Sequence, residues 1–418
     1  MVEAVLLEIF NDLPAATEKS AVSKSIEPKM YRIVHLTSAH PMMDVRIFHK
    51  ECRSLAQVGF EVIQICNHDV SDTIDGVKIL GLGKNKGRVS RFTKGLIRSF
   101  VAALRCRGDL YHLHDPDILI LGIALRMLGR RVVYDIHEDL PTKILLKMYV
   151  PKIARKPLSL IVEYLENIAA GFMSGLITAT PTLRARFEKA NGKIVVVNNF
   201  PMLEEFDNVG VMDWKTRKPS VAYVGGISEA RGVYEMIQAV NMLPTALGVK
   251  LELGGWFYVE SLFDSLKEQS QWNLVNWHSE IDRPSLRHLL RTVSAGLVVL
   301  HPEKSFVNSQ PTKLFEYMAA GIPVIASDFP LWRGIVGTAD CGLLVDPLDA
   351  RSIAAAIHNL ISNPERAQAM GERGRQAVEE HFNWAKEEQT LLSFYSWLLH
   401  DRPAETDYNT TATPVLSR

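Results

Sequence analysis

Ser309-Gln-Pro-Thr-Lys-Leu-Phe-Glu-Tyr-Met-Ala-Ala-Gly-Ile-Pro-Val-Ile-Ala-Ser-Asp328 is the stretch from which the fold can be read. A polar loop with Pro311 enters a short amphipathic segment that stops at Gly321, and a buried strand, Pro323 to Ala326, follows at once. A helix delivered directly into an apolar strand is half of a β-α-β unit. Such units build parallel sheets covered by helices on both faces. The same stretch sets Lys313 and Glu316 about one helical turn apart, close to a helix N-terminus.

Outward from this unit the pattern repeats. Apolar runs at 221–224, 250–253, 274–277, 296–300 and 342–345 read as further strands with helical patterns between them. In the first half, 31–37, 60–66, 109–114, 131–135, 176–178 and 193–197 read the same way. A helix is expected over 46–58, stopped by Gly59, and another near 117–128. The breaker-rich Asn198-Asn-Phe-Pro-Met-Leu203 separates the two series. The expected architecture is α/β, with two tandem Rossmann-like domains and a cleft between them. The expected divisions are a mobile leader at 1–29, a first domain at 30–200, a second at 201–383, a helix at 384–401 returning toward the first domain, and a disordered tail at 402–418.

Bulk composition narrows the function class. The 418 residues carry 47 Lys+Arg against 47 Asp+Glu, so no overall field points to nucleic acid. Cys52, Cys66, Cys106 and Cys341 are scattered without a CxxC pair, which favours buried thiols in a reducing compartment over disulfides or zinc. The longest candidate for a membrane span, Ile168 to Thr178, is too short and is broken by Gly171 and Gly175. A cytoplasmic protein is expected.

Charge is uneven locally. Between Lys84 and Arg107 eight basic residues occur without one acid, and Phe92, Leu96, Ile97, Phe100, Val101 and Leu104 interleave at helical spacing. A second basic and apolar stretch runs from Lys143 to Lys156. Such a stripe suits peripheral contact with an anionic membrane through 84–107; the alternative is a sheet-covering helix with a solvated basic face.

Ligands of doubly wound sheets bind at the carboxyl ends of the strands. In Tyr223-Val-Gly-Gly-Ile-Ser-Glu-Ala-Arg-Gly232 a strand ends at Gly225-Gly226 and a helix starts near Arg231. Small residues let backbone amides approach a phosphate, and Arg231 can clamp a diphosphate. Lys313 at a second junction of the same sheet adds a cation, and Glu316 can accept hydrogen bonds from a ribose diol. In the first domain, Tyr111-His-Leu-His-Asp-Pro-Asp117 and Tyr134-Asp-Ile-His-Glu-Asp139 each end a strand. Metal binding by His112, His114, Asp115 and Asp117 is the weaker reading, because strand ends collect polar groups and no zinc-finger spacing accompanies them. His137 is the better substrate contact. His40, Asp44 and Arg46 follow the first strand, where a binding role competes with helix capping by Asp44. Gly81-Leu-Gly-Lys-Asn-Lys-Gly87 lacks the spacing of a dinucleotide fingerprint.

With these residues in view, the chain resembles the retaining glycosyltransferases of family GT4, which have the GT-B fold. The resemblance is carried by Asp135-Ile-His-Glu-Asp-Leu-Pro141, Asn199-Phe-Pro201, Tyr223 to Gly232 and Pro311 to Asp328. It implies transfer of a sugar from a nucleotide-diphosphate donor to a lipid-linked or saccharide acceptor. It further implies retention of configuration, no metal or other cofactor, and a setting in bacterial surface polysaccharide assembly. By the resemblance His137, Arg231 and Lys313 are the catalytic candidates. Gly225, Gly226, Arg231, Gly254, Asn308, Thr312, Lys313, Leu314 and Glu316 bind donor, with Glu316 as the second acid of an E-x7-E motif. His40, Asp44, Arg46, His114 and Glu138 line the acceptor side. Two positions depart from the family pattern: Asn308 stands where the first acid is expected, and Gly226 where a Gly-Arg pair would supply a cation. A sugar-nucleotide epimerase or hydrolase, and a silent sugar-nucleotide-binding protein, are the alternatives.

Overall fold

The computed structural model describes residues 30–400, apart from 85–86, 88–90, 147–149, 208–213 and 215–216. The expected leader, the expected tail, and Lys86 and Arg88 of the basic stripe lie outside the described residues.

Two sheets are present. The first contains β1 (Arg32–Leu36), β2 (Glu61–Cys66), β3 (Asp72–Ile74), β4 (Val77–Gly81), β5 (Leu110–Leu113), β6 (Arg131–Ile136), β7 (Gly175–Thr178) and β8 (Ile194–Val196), in the order β3-β4-β2-β1-β5-β6-β7-β8. All its pairings are parallel except β3 with β4. The second contains β9 (Ser220–Val224), β10 (Lys250–Gly254), β11 (Val275–Trp277), β12 (Ala295–Val298), β13 (Val324–Ser327) and β14 (Gly342–Val345), in the order β11-β10-β9-β12-β13-β14, wholly parallel. Strand order reverses between β1 and β5 in the first sheet and between β9 and β12 in the second, so each sheet offers one crevice at its carboxyl edge.

One strand pair was not anticipated. β3 and β4 form a hairpin around Asp75-Gly76, both with positive φ (49° and 79°), the two-residue turn that Asp-Gly favours.

The strands are buried as their apolar runs require, and helices cover both faces. The face carrying Val34, Leu113, Tyr134 and Leu176 packs under the helices Leu96–Cys106, Leu119–Met127 and Lys152–Phe172. The opposite face packs against the helix Val45–Cys52 and its continuation Arg53–Gln57, and against the last helix, Trp384–His400, through Trp384, Leu391, Phe394, Tyr395 and Leu398. The chain therefore crosses back after the second domain. Glu387 fixes the crossing by accepting hydrogen bonds from Asn198, one of them from its backbone N–H at 2.7 Å. Between the domains Asn199 reaches Thr312.

Gly232 shows how tightly the second sheet is built where its first helix starts. Its φ is 75°, and a Cβ there would lie 2.2 Å from the carbonyl oxygen of Val299. Only glycine permits this approach. Helix Val233–Asn241 thereby begins against the ends of β9 and β12.

Candidate functional site

The carboxyl edge of the second sheet assembles Gly225, Arg231, Lys313 and Glu316. Gly225 leaves β9 at φ 128°, and a Cβ on it would come within 3.0 Å of Lys313 Nζ. Lys313 sits in the first turn of the helix Thr312–Ala319, and its Nζ lies 3.6 Å from the centre of the Tyr223 ring. That Nζ is buried and has no hydrogen-bond partner. Burial, with Arg231 nearby, pushes the Lys313 ammonium well below its ordinary value. The Arg231 guanidinium is 5.4 Å from the Tyr258 ring and 5.7 Å from that of Phe306. Two cations thus converge on one spot without a carboxylate bonded to Lys313, an arrangement suited to a polyanion.

Glu316 behaves differently from the expectation. Its Oε1 is 2.5 Å from Arg283 Nη1, and Arg283 Nε also bonds Glu205 Oε2 at 2.9 Å. The Glu205–Arg283–Glu316 bridge was not legible in sequence, because its members lie 78 and 33 positions apart with no periodicity. Leu314 is a correction: its side chain is fully buried in the core and its amide bonds Pro311, so it presents nothing to a donor. Thr312 faces Asn199 across the domains. Asn308 ends the short helix Lys304–Val307 and is exposed.

Gly254 and Gly226 are confined by packing. A Cβ at Gly254 would meet Ile281 at 2.3 Å, and one at Gly226 would meet the Tyr258 ring at 2.5 Å. The ring of Tyr258 thus occupies the space into which a side chain at 226 would project. Trp256 and Tyr258, each half-exposed in the loop after β10, put aromatic surface beside the glycines. Sequence reading passed over both, although exposed aromatics beside glycines are a visible signal for stacking a planar base.

On the first sheet His40, Asp44, His114, Asp135 and His137 come together, but not as a common surface. His137 remains partly exposed, with Nε2 2.7 Å from Asp135 Oδ2 and its ring 5.0 Å from that of His40. Asp44 is chiefly a helix cap, accepting from the amides of Arg46 at 2.9 Å and Ile47 at 3.0 Å, and it also pairs with His40. Although burial opposes it, the hydrogen bond from His40 and those amides hold the Asp44 carboxyl below the usual range. Two expectations are corrected. Arg46 is buried and bound to Asp135 through Nε at 2.9 Å and Nη2 at 2.8 Å, with Nη1 on the Val197 carbonyl, so it cannot meet an acceptor. His114 is buried behind His137, its Nδ1 3.4 Å from Asp135 Oδ2. Glu138 is exposed and paired with Lys143.

Residues 205–377 match the family described as glycosyl transferases group 1. The match covers most of the second domain. Glycogen synthase of Mycobacterium tuberculosis is 24% identical over 172 residues, which cover 41% of this chain and 40% of the relative. The chain thus aligns with about two-fifths of that relative's length. Nearly nine-tenths of the chain, spanning both sheets, superimposes on solved structures at low identity. Sucrose-phosphate synthase from Thermosynechococcus elongatus gives a TM-score of 0.70 at 18% identity over 89% of this chain and 100% of the other. Anabaena HepE in complex with UDP-glucose gives 0.66 at 14% identity over 87% and 99%. The fold is GT-B, and the segment that matches the group 1 model contains the edge where Arg231 and Lys313 converge.

Proposed function

We propose that the chain is a retaining glycosyltransferase moving a sugar from a nucleotide diphosphate to a hydroxyl of a lipid-linked or saccharide acceptor in bacterial surface polysaccharide assembly. The observation that carries this reading is the buried, unpartnered Nζ of Lys313 beside Arg231 at the switch point of the second sheet. In the proposed reaction the acceptor oxygen bonds to the anomeric carbon as the bond from that carbon to the diphosphate oxygen breaks. The acceptor proton passes to the departing diphosphate on the same face. Arg231 and Lys313 neutralise the charge that develops there, so no metal is needed at the diphosphate. Trp256 and Tyr258 stack the base, and His137, oriented by Asp135, contacts the transferred sugar from the other sheet.

A panel of nucleotide sugars tests the reading. One member is expected to raise the melting temperature, because a ligand of the folded state stabilises it by mass action. Release of nucleotide diphosphate is then expected to require a membrane extract. Release without acceptor would instead indicate an epimerase or hydrolase. Binding without release, for which the uncharged Asn308 gives a motive, would indicate a silent binder.

We further propose that the acceptor is reached at the cytoplasmic face of a membrane. Among the described residues no helix is long and apolar enough to span one. Exposed apolar side chains are concentrated on the helices covering one face of the first sheet: Ile97 and Val101, Met127, and Ile153, Leu160 and Tyr164. Ile153 is 90% exposed and Met127 82%, beyond what scattered surface residues require. Lys94 precedes the first of these helices, Arg98 and Arg105 lie on it, and Lys152 and Lys156 stand in the first turns of the last. The patch is therefore broader than the stripe at 84–107. Arg91 is excluded from it, since it turns inward to Asp117 at 2.9 Å. Vesicles containing phosphatidylglycerol are expected to co-sediment the protein, less so at 0.5 M salt (on the order of a 4 Å Debye length). Equal binding to neutral vesicles, or none to either, would overturn this.

A further inference from the structure

Beneath His137 the first domain holds a closed group of side chains that sugar transfer does not use. His35 on β1, His112 and His114 on β5, and Glu51 on the helix Val45–Cys52 are each 2% exposed or less. β1 and β5 are neighbours with His35 opposite His112, so the three rings share one face of the sheet. Their centres are 4.7 Å (His35–His112), 5.1 Å (His35–His114) and 4.3 Å (His112–His114) apart. Glu51 Oε2 is 3.8 Å from His112 Nδ1 and 4.0 Å from His114 Nε2. One ligand atom from each of the four residues lies within 4.8 Å of every other.

The hydrogen bonding of this group is incomplete. Both carboxylate oxygens of Glu51, Nε2 of His35 and Nε2 of His112 are buried without a hydrogen-bond partner, although Glu51 Oε1 stands 3.0 Å from Arg46 Nε. A buried polar atom left without its hydrogen bond destabilises the fold. Glu51 Oε2 is the orphan that lies among the rings, and a cation held between it and the three imidazoles would give it a partner.

We propose that His35, Glu51, His112 and His114 bind one d-block divalent cation, with zinc the ion that three imidazoles and a carboxylate suit. Asp135 Oδ2, 3.4 Å from His114 Nδ1, holds that ring from behind, so that Nε2 is the ligating atom. The Tyr395 hydroxyl, 2.5 Å from His112 Nδ1, anchors the second ring to the last helix. The proton shared by His35 Nδ1 and His114 Nε2, 2.9 Å apart, is the one the ion displaces. The ion belongs to the first sheet and ties β1, β5, the helix of Glu51 and the crossover helix together. Arg231 and Lys313 stand on the other sheet, so the diphosphate chemistry proposed above does not run through it.

Untagged full-length protein, purified without chelator, is expected to contain roughly one equivalent of zinc by mass spectrometry. The metal-depleted protein should gain melting temperature when zinc is returned, and with cobalt(II) it should show the intense visible band of a tetrahedral site. The double variant His35→Asn/His112→Gln is expected to lose the metal. His137→Ala, outside the four, should keep it. Metal absent from the wild type, with neither a zinc-dependent melting shift nor a cobalt band, would overturn the proposal even if the double variant failed to fold. Metal retained in a folded double variant would overturn it as well.

Discussion

Lys313→Ala is expected to lower turnover by about a hundred-fold or more, and Arg231→Ala by a similar factor, with the folded content of both variants unchanged. Lys313 Nζ is buried, lacks a hydrogen-bond partner and faces a second cation, so in the unliganded protein its charge is poorly supported. Removing it relieves burial and repulsion, so stability should hold or rise while activity falls. That opposition separates a catalytic role from a structural one, since a structural lysine would cost both. A diphosphate restores the value of the charge. Binding should therefore take up a proton, and affinity should weaken as pH rises toward the ordinary lysine range, which calorimetry in two buffers would measure. Retained turnover in both variants would remove the basis for the donor site.

The second large effect concerns the first domain. Arg46→Met is expected to destabilise the protein by about 3–5 kcal/mol in urea unfolding, because it leaves Asp135 buried without its cation. Burial opposes ionisation of Asp135, but the Arg46 guanidinium and the neighbouring histidines hold its carboxyl well below the usual range. That contribution is present above the unfolded value of an aspartate and is lost as pH falls through the lower folded one. The double variant Arg46→Met/Asp135→Leu should recover much of the loss, since replacing both members of a buried pair with apolar groups is often nearly neutral. A stability change below about 1 kcal/mol in the single variant would show that the pair contributes little.

These two sites show what the sequence could and could not disclose. The parallel strands other than β4 were legible because both faces of each sheet are covered, which turns strands into apolar runs such as Val324–Ser327 and Arg131–Ile136. β3 and β4 escaped: β3 is three residues long and mostly exposed, Lys78 and Gly81 interrupt the short apolar run of β4, and only Asp75-Gly76 signalled the hairpin. The convergence of Arg231 and Lys313 could be inferred because each follows a strand at the carboxyl edge of one sheet. Arg46 also follows a strand, yet its helix turns it inward onto Asp135, 89 positions away. Position along the chain placed it near the cleft, and only tertiary packing decided which way it faced. Glu316 was found by its spacing from Lys313, whereas its partners Arg283 and Glu205 come from other elements and left no local trace. The partnership of His35 with His112 and His114 likewise depends on the pairing of β1 with β5, which the sequence does not spell out.

The proposed transfer is tested most directly by incubating the protein with the nucleotide sugar that stabilises it and a membrane extract, and reading the anomeric coupling of the transferred sugar by NMR. Acceptor-dependent transfer with the donor's configuration kept is the expected result. Transfer with inverted configuration would contradict the retaining mechanism. Release of nucleotide that is independent of the extract would contradict glycosyl transfer itself.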